Sequence, residues 1–325
     1  MKKTCIFIAL FLSAELSLAG NKTVLSCGRS LSIEKIPSRA VSNDINLTEM
    51  MFALELQDRM AGYTGISGWQ KLTPEFKNAA GSLPQLSEKT PTMETLLAVN
   101  TDLFFAGWNY GMRAGGPLTP HTLRPFNIAV YELTESCIHI MKKNPSSFDD
   151  VYQDILNLGI LFNAETRAKK LVDQFRADVK NIKSKTSNIQ QPVKVFLYDS
   201  GKNAPFTAGQ YAIPNAMIEA AGGINILNDL KSSWTRTSWE TIVKRSPDVI
   251  IIVNYGKTTA EQKIAFLKAH PALSNINAIR NHRFVTLKYS EATPGVRNVE
   301  ATLRLAKAFY PKIFSTTSLQ IESQK

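Results

Sequence analysis

Ten side chains suited to holding a small molecule cluster at the ends of short apolar runs in this sequence. Trp108, Tyr110 and Arg113 close or follow LFFAGW, and Tyr198 and Phe206 fall within LYDSGKNAPF. Trp234 and Arg236 sit in SSWTRTS, Tyr255 follows VIIIVN, and Tyr289 and Arg297 flank SEATPGV. Aromatic rings cover large apolar ligands, while guanidinium groups pair with carboxylates and other anionic oxygens. Any one ring could equally be a lid on a core, and Arg297 could instead pair or cap at the start of the last helix. Catalytic machinery is not what the residues suggest. The four histidines, His121, His139, His270 and His282, are never spaced i, i+4, and there is no CxxC, so no side-chain transition-metal site is expected. No GxSxG, P-loop or GxGxxG stands at a strand–helix junction, because Gly222-Gly223 follows a helix. Ser200 has no histidine near it in sequence, so an enzyme would need a set assembled in space. The expectation is a binding protein that is not an enzyme and has no resident cofactor.

These residues must be positioned by something, and the chain says it twice. TMETLLAVNTDLFFAGWNYG (92–111) returns as SWETIVKRSPDVIIIVNYG (238–256), with Glu94 and Glu240, then Asp102 and Asp248, in register. Each copy reads as a helix feeding a short apolar strand. SRAVSNDINLTEMMFALELQDRMAGYTG predicts strand, turn, helix and strand, with Asn46 or Thr48 as the helix cap. A helix is expected near Pro120 and a strand over 128–133. Short apolar strands separated by helices mean parallel pairing and an α/β lobe. Two further helices follow, over 148–161 and 163–185, the second capped by Asn163. It carries an apolar stripe of Ala168, Leu171, Val172, Phe175, Val179 and Ile182. About twenty helical residues reach roughly 30 Å, enough to cross between lobes. After the linker SKTSNIQQP the second lobe restates the first, with strands from VKVFLYDSG and 249–253 and a last helix over 297–309.

The organisation expected is a signal peptide over 1–19, an N-terminal lobe over 20–146, an interlobe helical segment over 147–187 and a C-terminal lobe over 188–325. Lys2 and Lys3, the apolar run from Cys5 to Ala14 and Ser17-Leu18-Ala19 make the export signal. That predicts a periplasmic protein. Cys5 would leave with the signal and no Cys stands at the cleavage point, so no lipid anchor is expected. Cys27 and Cys137 then remain, either bridged or as two buried thiols. The formal charge of +11 would suit nucleic acid, an anionic surface or an anionic small ligand. The basic residues are scattered among carboxylates, so nucleic acid is the weakest of the three.

Glu94 and Glu240 stand in helix first turns, where the dipole favours a carboxylate, and that alone would account for them. Their matched places in two lobes also suit docking of a symmetric partner through arginine. At this point the sequence resembles a family, the ABC-transporter solute-binding proteins for iron–siderophores, haem and vitamin B12. The likeness is carried by SRAVSNDINLTEMMFALELQDRMAGYTG, PTMETLLAVNTDLFFAGW, DVYQDILNLGILFNAETRAKKLV, IEAAGGINIL and TSWETIVKRSPDVIIIVNYG, in that order. It implies a class III architecture: two parallel-sheet α/β lobes joined by a single rigid interlobe helix, with ligand in the cleft. It also implies a monomer that delivers its ligand to an ABC permease dimer in the inner membrane, with Glu94 and Glu240 at the docking positions. Trp108 and Trp234 fall where the vitamin B12-binding member has cleft tryptophans. Asn43-Asp44 replaces a usual Pro, so the ligand loop there differs. Cobalamin fits the tryptophans, and an anionic ferric siderophore fits Arg113, Arg236, Tyr255 and the positive charge; haem or another cofactor-like metabolite stays open.

Overall fold

The structure is a computed structural model that describes residues 21–68 and 72–315. The expected signal segment over 1–19 lies outside the described residues. Cys27 and Gly28 take left-handed φ of 44° and 75°, reversing the chain between β1 (Lys22–Ser26) and β2 (Arg29–Ile33), an antiparallel hairpin. Both strands alternate, turning Val24, Leu31 and Ile33 inward against the main core. At the hairpin tip Cys27 is bridged to Cys137, with Cα atoms 5.3 Å apart across 110 residues of chain.

The first sheet is parallel and runs β5-β4-β3-β6, with β8 pairing the free edge of β6 and short β7 at its end. Its strands are β3 (Ala40–Asn43), β4 (Met60–Thr64), β5 (Gln85–Ser87), β6 (Leu103–Trp108), β7 (Gly111–Met112) and β8 (Ala129–Glu132). The second is also parallel, in the order β11-β9-β13-β14. Here β9 is Lys194–Tyr198, β11 Ile224–Asn225, β13 Val249–Asn254 and β14 Phe284–Lys288. A separate antiparallel ribbon pairs β10 (Phe206–Ala208) with β12 (Trp234–Arg236). β6 and β13 are buried along almost their whole length, as central parallel strands must be.

The repeated Asp explains itself at the strand starts. Asp102, one residue before β6, accepts the backbone N–H of Ser38 and Arg39 just before β3. Asp248, one residue before β13, accepts the N–H of Lys194 as β9 begins. Each carboxylate thus fastens the entry of a neighbouring parallel strand.

Helix Phe148–Phe162 packs on β1 and on the 22-residue helix Glu165–Thr186, which also packs on Asn298–Phe309 in the second lobe. The stripe read from the sequence is its inner face: Ala168, Val172, Val179 and Ile182 are buried, with Leu171 and Phe175 packed alongside. The first two helices cross closely, because a Cβ at Gly159 would lie 2.5 Å from that of Ala168. Two expected caps are corrected. Asn163 does not start the long helix; it ends the preceding one in a left-handed conformation (φ 57°), which Asn tolerates without a Cβ-branched clash. Asp44, not Asn46 or Thr48, caps helix Ile45–Ala53, its Oδ1 accepting from Ile45 N at 2.7 Å.

The bridge closes a loop of 110 residues, so most of its effect falls on the unfolded chain. Replacing Cys27 and Cys137 together by Ala is expected to lower unfolding free energy by about 2–5 kcal/mol. Urea denaturation of both proteins, with and without reductant, checks this: the native protein loses the same amount in reductant and the double variant loses nothing further.

Candidate functional site

Parallel strands of both sheets end toward one another, and a cavity of about 290 Å³ lies where their carboxyl ends meet. From the first lobe come Asn109 and Tyr110, just past β6, and His139, beyond β8. The second lobe supplies Asp199 past β9, Val253 and Tyr255 at the end of β13, and Tyr289, Ala292 and Thr293 after β14. Phe206 and Trp234 reach in from the β10–β12 ribbon. That ribbon sets Ala208 opposite Trp234 and Phe206 opposite Arg236, so the rings of Phe206 and Trp234 stack with centroids 6.0 Å apart. Tyr110 is turned inward by a tight reversal in which Asn109 has φ 69° and Gly111 φ 104°. A Cβ on Gly111 would sit 2.7 Å from Asn43 Cγ, so only glycine allows the chain this close.

Two of the ring hydroxyls, those of Tyr255 and Tyr289, bind within the protein. Tyr110 and Trp234 line the cavity from opposite lobes. Tyr255 donates to Asp199, which also accepts from Ser200 Oγ at 2.8 Å, and Tyr289 donates to Asp44 Oδ2 at 2.7 Å. Tyr255 and Tyr289 meet edge to face at 5.8 Å. Beneath them the buried Lys263 ammonium sits 4.4 Å from the Tyr255 ring centroid and binds the carbonyls of Asp199 and Val253, joining the ends of β9 and β13. Burial pushes the Tyr110 and Tyr289 hydroxyls well above 10, with nearby carboxylates adding to the shift, so both stay protonated donors. Burial also raises Asp199, against the pull of its Tyr255 and Ser200 hydrogen bonds. His139 is lowered by burial, so at neutral pH its ring is uncharged; its Nε2 faces Asn109 Nδ2 at 3.2 Å.

Five of the ten sequence candidates therefore line this cavity: Tyr110, Phe206, Trp234, Tyr255 and Tyr289. The other five lie elsewhere. Trp108 is only 6% exposed, inside a first-lobe core cluster, and its indole donates to Glu132 Oε1 at 3.0 Å rather than facing the cleft. Tyr198 packs against Trp239 and Phe266 on the far side of the second sheet. Arg236 lies over the outer face of Phe206 at 5.7 Å and donates to the Ala204 carbonyl. Arg297 makes a fork of hydrogen bonds to Glu49 of the first lobe at 2.6–2.8 Å. Arg113 lines an adjoining cavity of about 310 Å³ that shares Asn109 with the first. No Arg or Lys lines the aromatic cavity itself among the described residues. Asn109 and Asp199 stand at strand ends and were open to the same sequence argument; His139, six residues into the segment after Leu133, carried no local signal.

Arg297 belongs instead to a seam between the lobes. With it come Tyr289–Asp44 and Asn46, whose Nδ2 donates to the Pro294 carbonyl at 2.7 Å. A second seam forms at Glu135, whose Oε2 accepts from Ser146 Oγ at 3.1 Å and from the backbone N–H of Ile213, the first residue of the Ile213–Ala220 helix. Glu94 and Glu240 are exposed and each occupies the second helical position after a capping Thr92 or Ser238. Hydrogen bonds from the Thr92 side chain, and then from the helix-start backbone, hold the Glu94 carboxyl below its usual range. Among the described residues no three His, Cys, Asp or Glu side chains converge on a metal position.

Burial, with Asp150 adding to it, raises Glu135 from 4.5 to about 8, and burial takes Asp154 to about 7 despite its Thr134 and Tyr131 donors. Both groups hold more protons folded than unfolded in the window above 4.5. Their stabilising effect is therefore complete at low pH and is lost as pH rises through the folded values. Thermal melts are expected to fall from pH 5 to pH 8.5, by on the order of a few kcal/mol in stability. Glu135→Gln should roughly halve the decline between pH 5 and 7, where both groups titrate, and remove it between pH 7 and 8, leaving the Asp154 part; an unchanged profile would place Glu135 outside the titration.

The model of the periplasmic binding protein family matches residues 41–290, reaching into both lobes and including every cavity residue but Ala292 and Thr293. The chain is 27% identical over 290 residues to an uncharacterized ABC transporter substrate-binding lipoprotein of Bacillus subtilis, covering 88% of this chain and 84% of that one. It is 24% identical over 226 residues to the vitamin B12-binding protein of Yersinia pestis, covering 68% and 73%. A solved structure of an ABC-type Fe3+-hydroxamate transport system from Saccharomonospora viridis superposes with a TM-score of 0.74 at 20% identity, over 88% of this chain and 98% of that one.

Proposed function

Because the chain belongs to the periplasmic binding protein family, we propose that it is the exported substrate-binding component of an ABC importer whose cargo is a metal complex carrying little net charge. The observation that carries the cargo class is the lining: five aromatic rings, a neutral histidine and no Arg or Lys. A polyanionic chelate buried there would meet Asp199 and no Arg or Lys in the lining, the Lys263 ammonium lying behind the Tyr255 ring on strand-end carbonyls, and an unpaired buried charge is costly. A neutral ferric trihydroxamate or a corrinoid meets rings, protonated tyrosines and an amide, which such surfaces accept. The relative that binds vitamin B12 and the neighbour from an Fe3+-hydroxamate system support the same class. The cavity side chains form no metal cluster, so the cargo brings its own donors. The anionic siderophore suggested by the net charge of +11 is the weaker choice, because that charge does not reach the cavity. Arg113, in the adjoining cavity, favours it only for a chelate with an acidic arm.

Loading is capture and release in this reading, without turnover. Glu94 and Glu240, exposed at repeat-related helix starts, would dock the two lobes on the permease dimer. Intrinsic-fluorescence titration of residues 20–325 with a neutral ferric trihydroxamate, cyanocobalamin, haemin and a ferric tricatecholate tests the cargo class. Saturable quenching is expected from a neutral complex and not from the tricatecholate; the reverse order would refute it. Trp234→Ala should weaken binding by about 2 kcal/mol or more, while Trp108→Phe should leave affinity unchanged. In cells, Glu94→Ala with Glu240→Ala should abolish uptake and spare binding; normal uptake would remove the docking role.

A further inference from the structure

The internal repeat continues past its carboxylates. Setting 92–102 on 238–248 matches Leu96 with Ile242, Leu97 with Val243 and Asn100 with Ser246, besides the Glu and Asp pairs. Most of the matched positions have a structural cause. Thr92 and Ser238 cap their helices, and Leu96 and Ile242 are fully buried. Asn100 and Ser246 both take left-handed φ, 49° and 41°, to turn the chain into the strand. Leu97 and Val243 have no such cause, being large apolar side chains left 38% and 37% exposed. A single exposed Leu or Val needs no explanation. The same exposure at one repeat position in two lobes is a different observation. Each lies three residues beyond the exposed glutamate and therefore on the same helix face as it.

We propose that Leu97 and Val243 are the apolar halves of two matched docking patches, Glu94 with Leu97 and Glu240 with Val243. The occupant is the importer's membrane permease, presenting two guanidinium groups, each beside an apolar hollow. This rests on the importer reading above and adds to it the residues that exclude water from the ion pairs. Charge selects the partner class: the chain carries +11 overall, yet both patches present a carboxylate. An anionic lipid surface would meet a carboxylate at each patch, with Lys244 beside the second, and a second copy joined through the same patches would set glutamate against glutamate. An ion pair exposed to water contributes little, whereas one flanked by buried apolar surface sits in a lower dielectric and strengthens. An interface with two copies of one pocket suits a partner that is itself a symmetric dimer.

The test uses the full chain in a strain lacking its own copy of the gene, with uptake of radiolabelled ferric trihydroxamate or cyanocobalamin as the readout. Leu97→Ser with Val243→Ser should leave thermal stability and fluorescence quenching unchanged and cut uptake about tenfold at limiting probe. Leu97→Met with Val243→Ile should restore it. Full uptake by the serine variant, with uptake lost in Glu94→Ala/Glu240→Ala, overturns the apolar patches and leaves glutamate docking standing. Full uptake by both variants overturns docking at these helices altogether. Uptake of neither probe by the native protein overturns the importer reading for these cargoes and the patches with it. Sedimentation supplies the last arm: a dimer of the native chain that the serine variant loses would make a second copy the occupant and overturn the permease.

Discussion

A short stretch after β3 holds the two lobes to each other. Asp44, Asn46 and Glu49 reach from one helix start to Tyr289, Pro294 and Arg297 of the other lobe. The Glu49–Arg297 pair is the strongest of these contacts in kind: a forked, charge-assisted contact on a glutamate that is only 6% exposed. Such a pair contributes little net stability over an apolar isostere, but losing one partner strands a buried charge at about 3–5 kcal/mol. It therefore fixes geometry more than it adds stability. Asp44 shows the same priority. It accepts a left-handed φ of 77°, strained for any residue but glycine or Asn, so that one carboxylate can both cap the helix and hold Tyr289.

With the seam set, the cavity follows from where strands end. Tyr289 is placed by the seam, Tyr255 by β13, Tyr110 by β6 and Trp234 by the β10–β12 ribbon. The Tyr255 and Tyr289 hydroxyls are bound inside the protein, and Lys263 is held by strand-end carbonyls, so the lining offers faces and edges of rings more than charge. Recognition by such a lining depends on shape and apolar area, with hydrogen bonds setting orientation.

The parallel lobes, their order and the long crossing helix were legible because they rest on local signals: apolar runs, the repeat, and a 3.6-residue stripe that became the helix's inner face. The strand-end rule also found five of the cavity rings. It failed where the deciding partner is remote. Trp108 and Tyr110 stand two residues apart, but Glu132 takes the indole of the first while a left-handed turn at Asn109 aims the second into the cleft. Arg297 was open to a ligand or a pairing role, and its partner Glu49 lies 248 residues away. Phe206 and Trp234 were read singly because the ribbon that stacks them joins segments with no shared pattern. Asn163 was misplaced for another reason: Asn serves both ends of a helix, and only the backbone conformation decides which.

The seam bears on how far the lobes can move. Lobes tied at both 44–49 and Glu135, and bridged by a helix packed on each, cannot swing far without stranding buried polar groups. Tyr110 stands two residues past β6 and Tyr255 one residue past β13; those strands begin just after Asp102 and Asp248, at the feet of the helices carrying Glu94 and Glu240. Six extended residues cover roughly 20 Å. Each central strand thus runs from the helix carrying an exposed glutamate to a cavity ring, buried along its length and fastened at its entry.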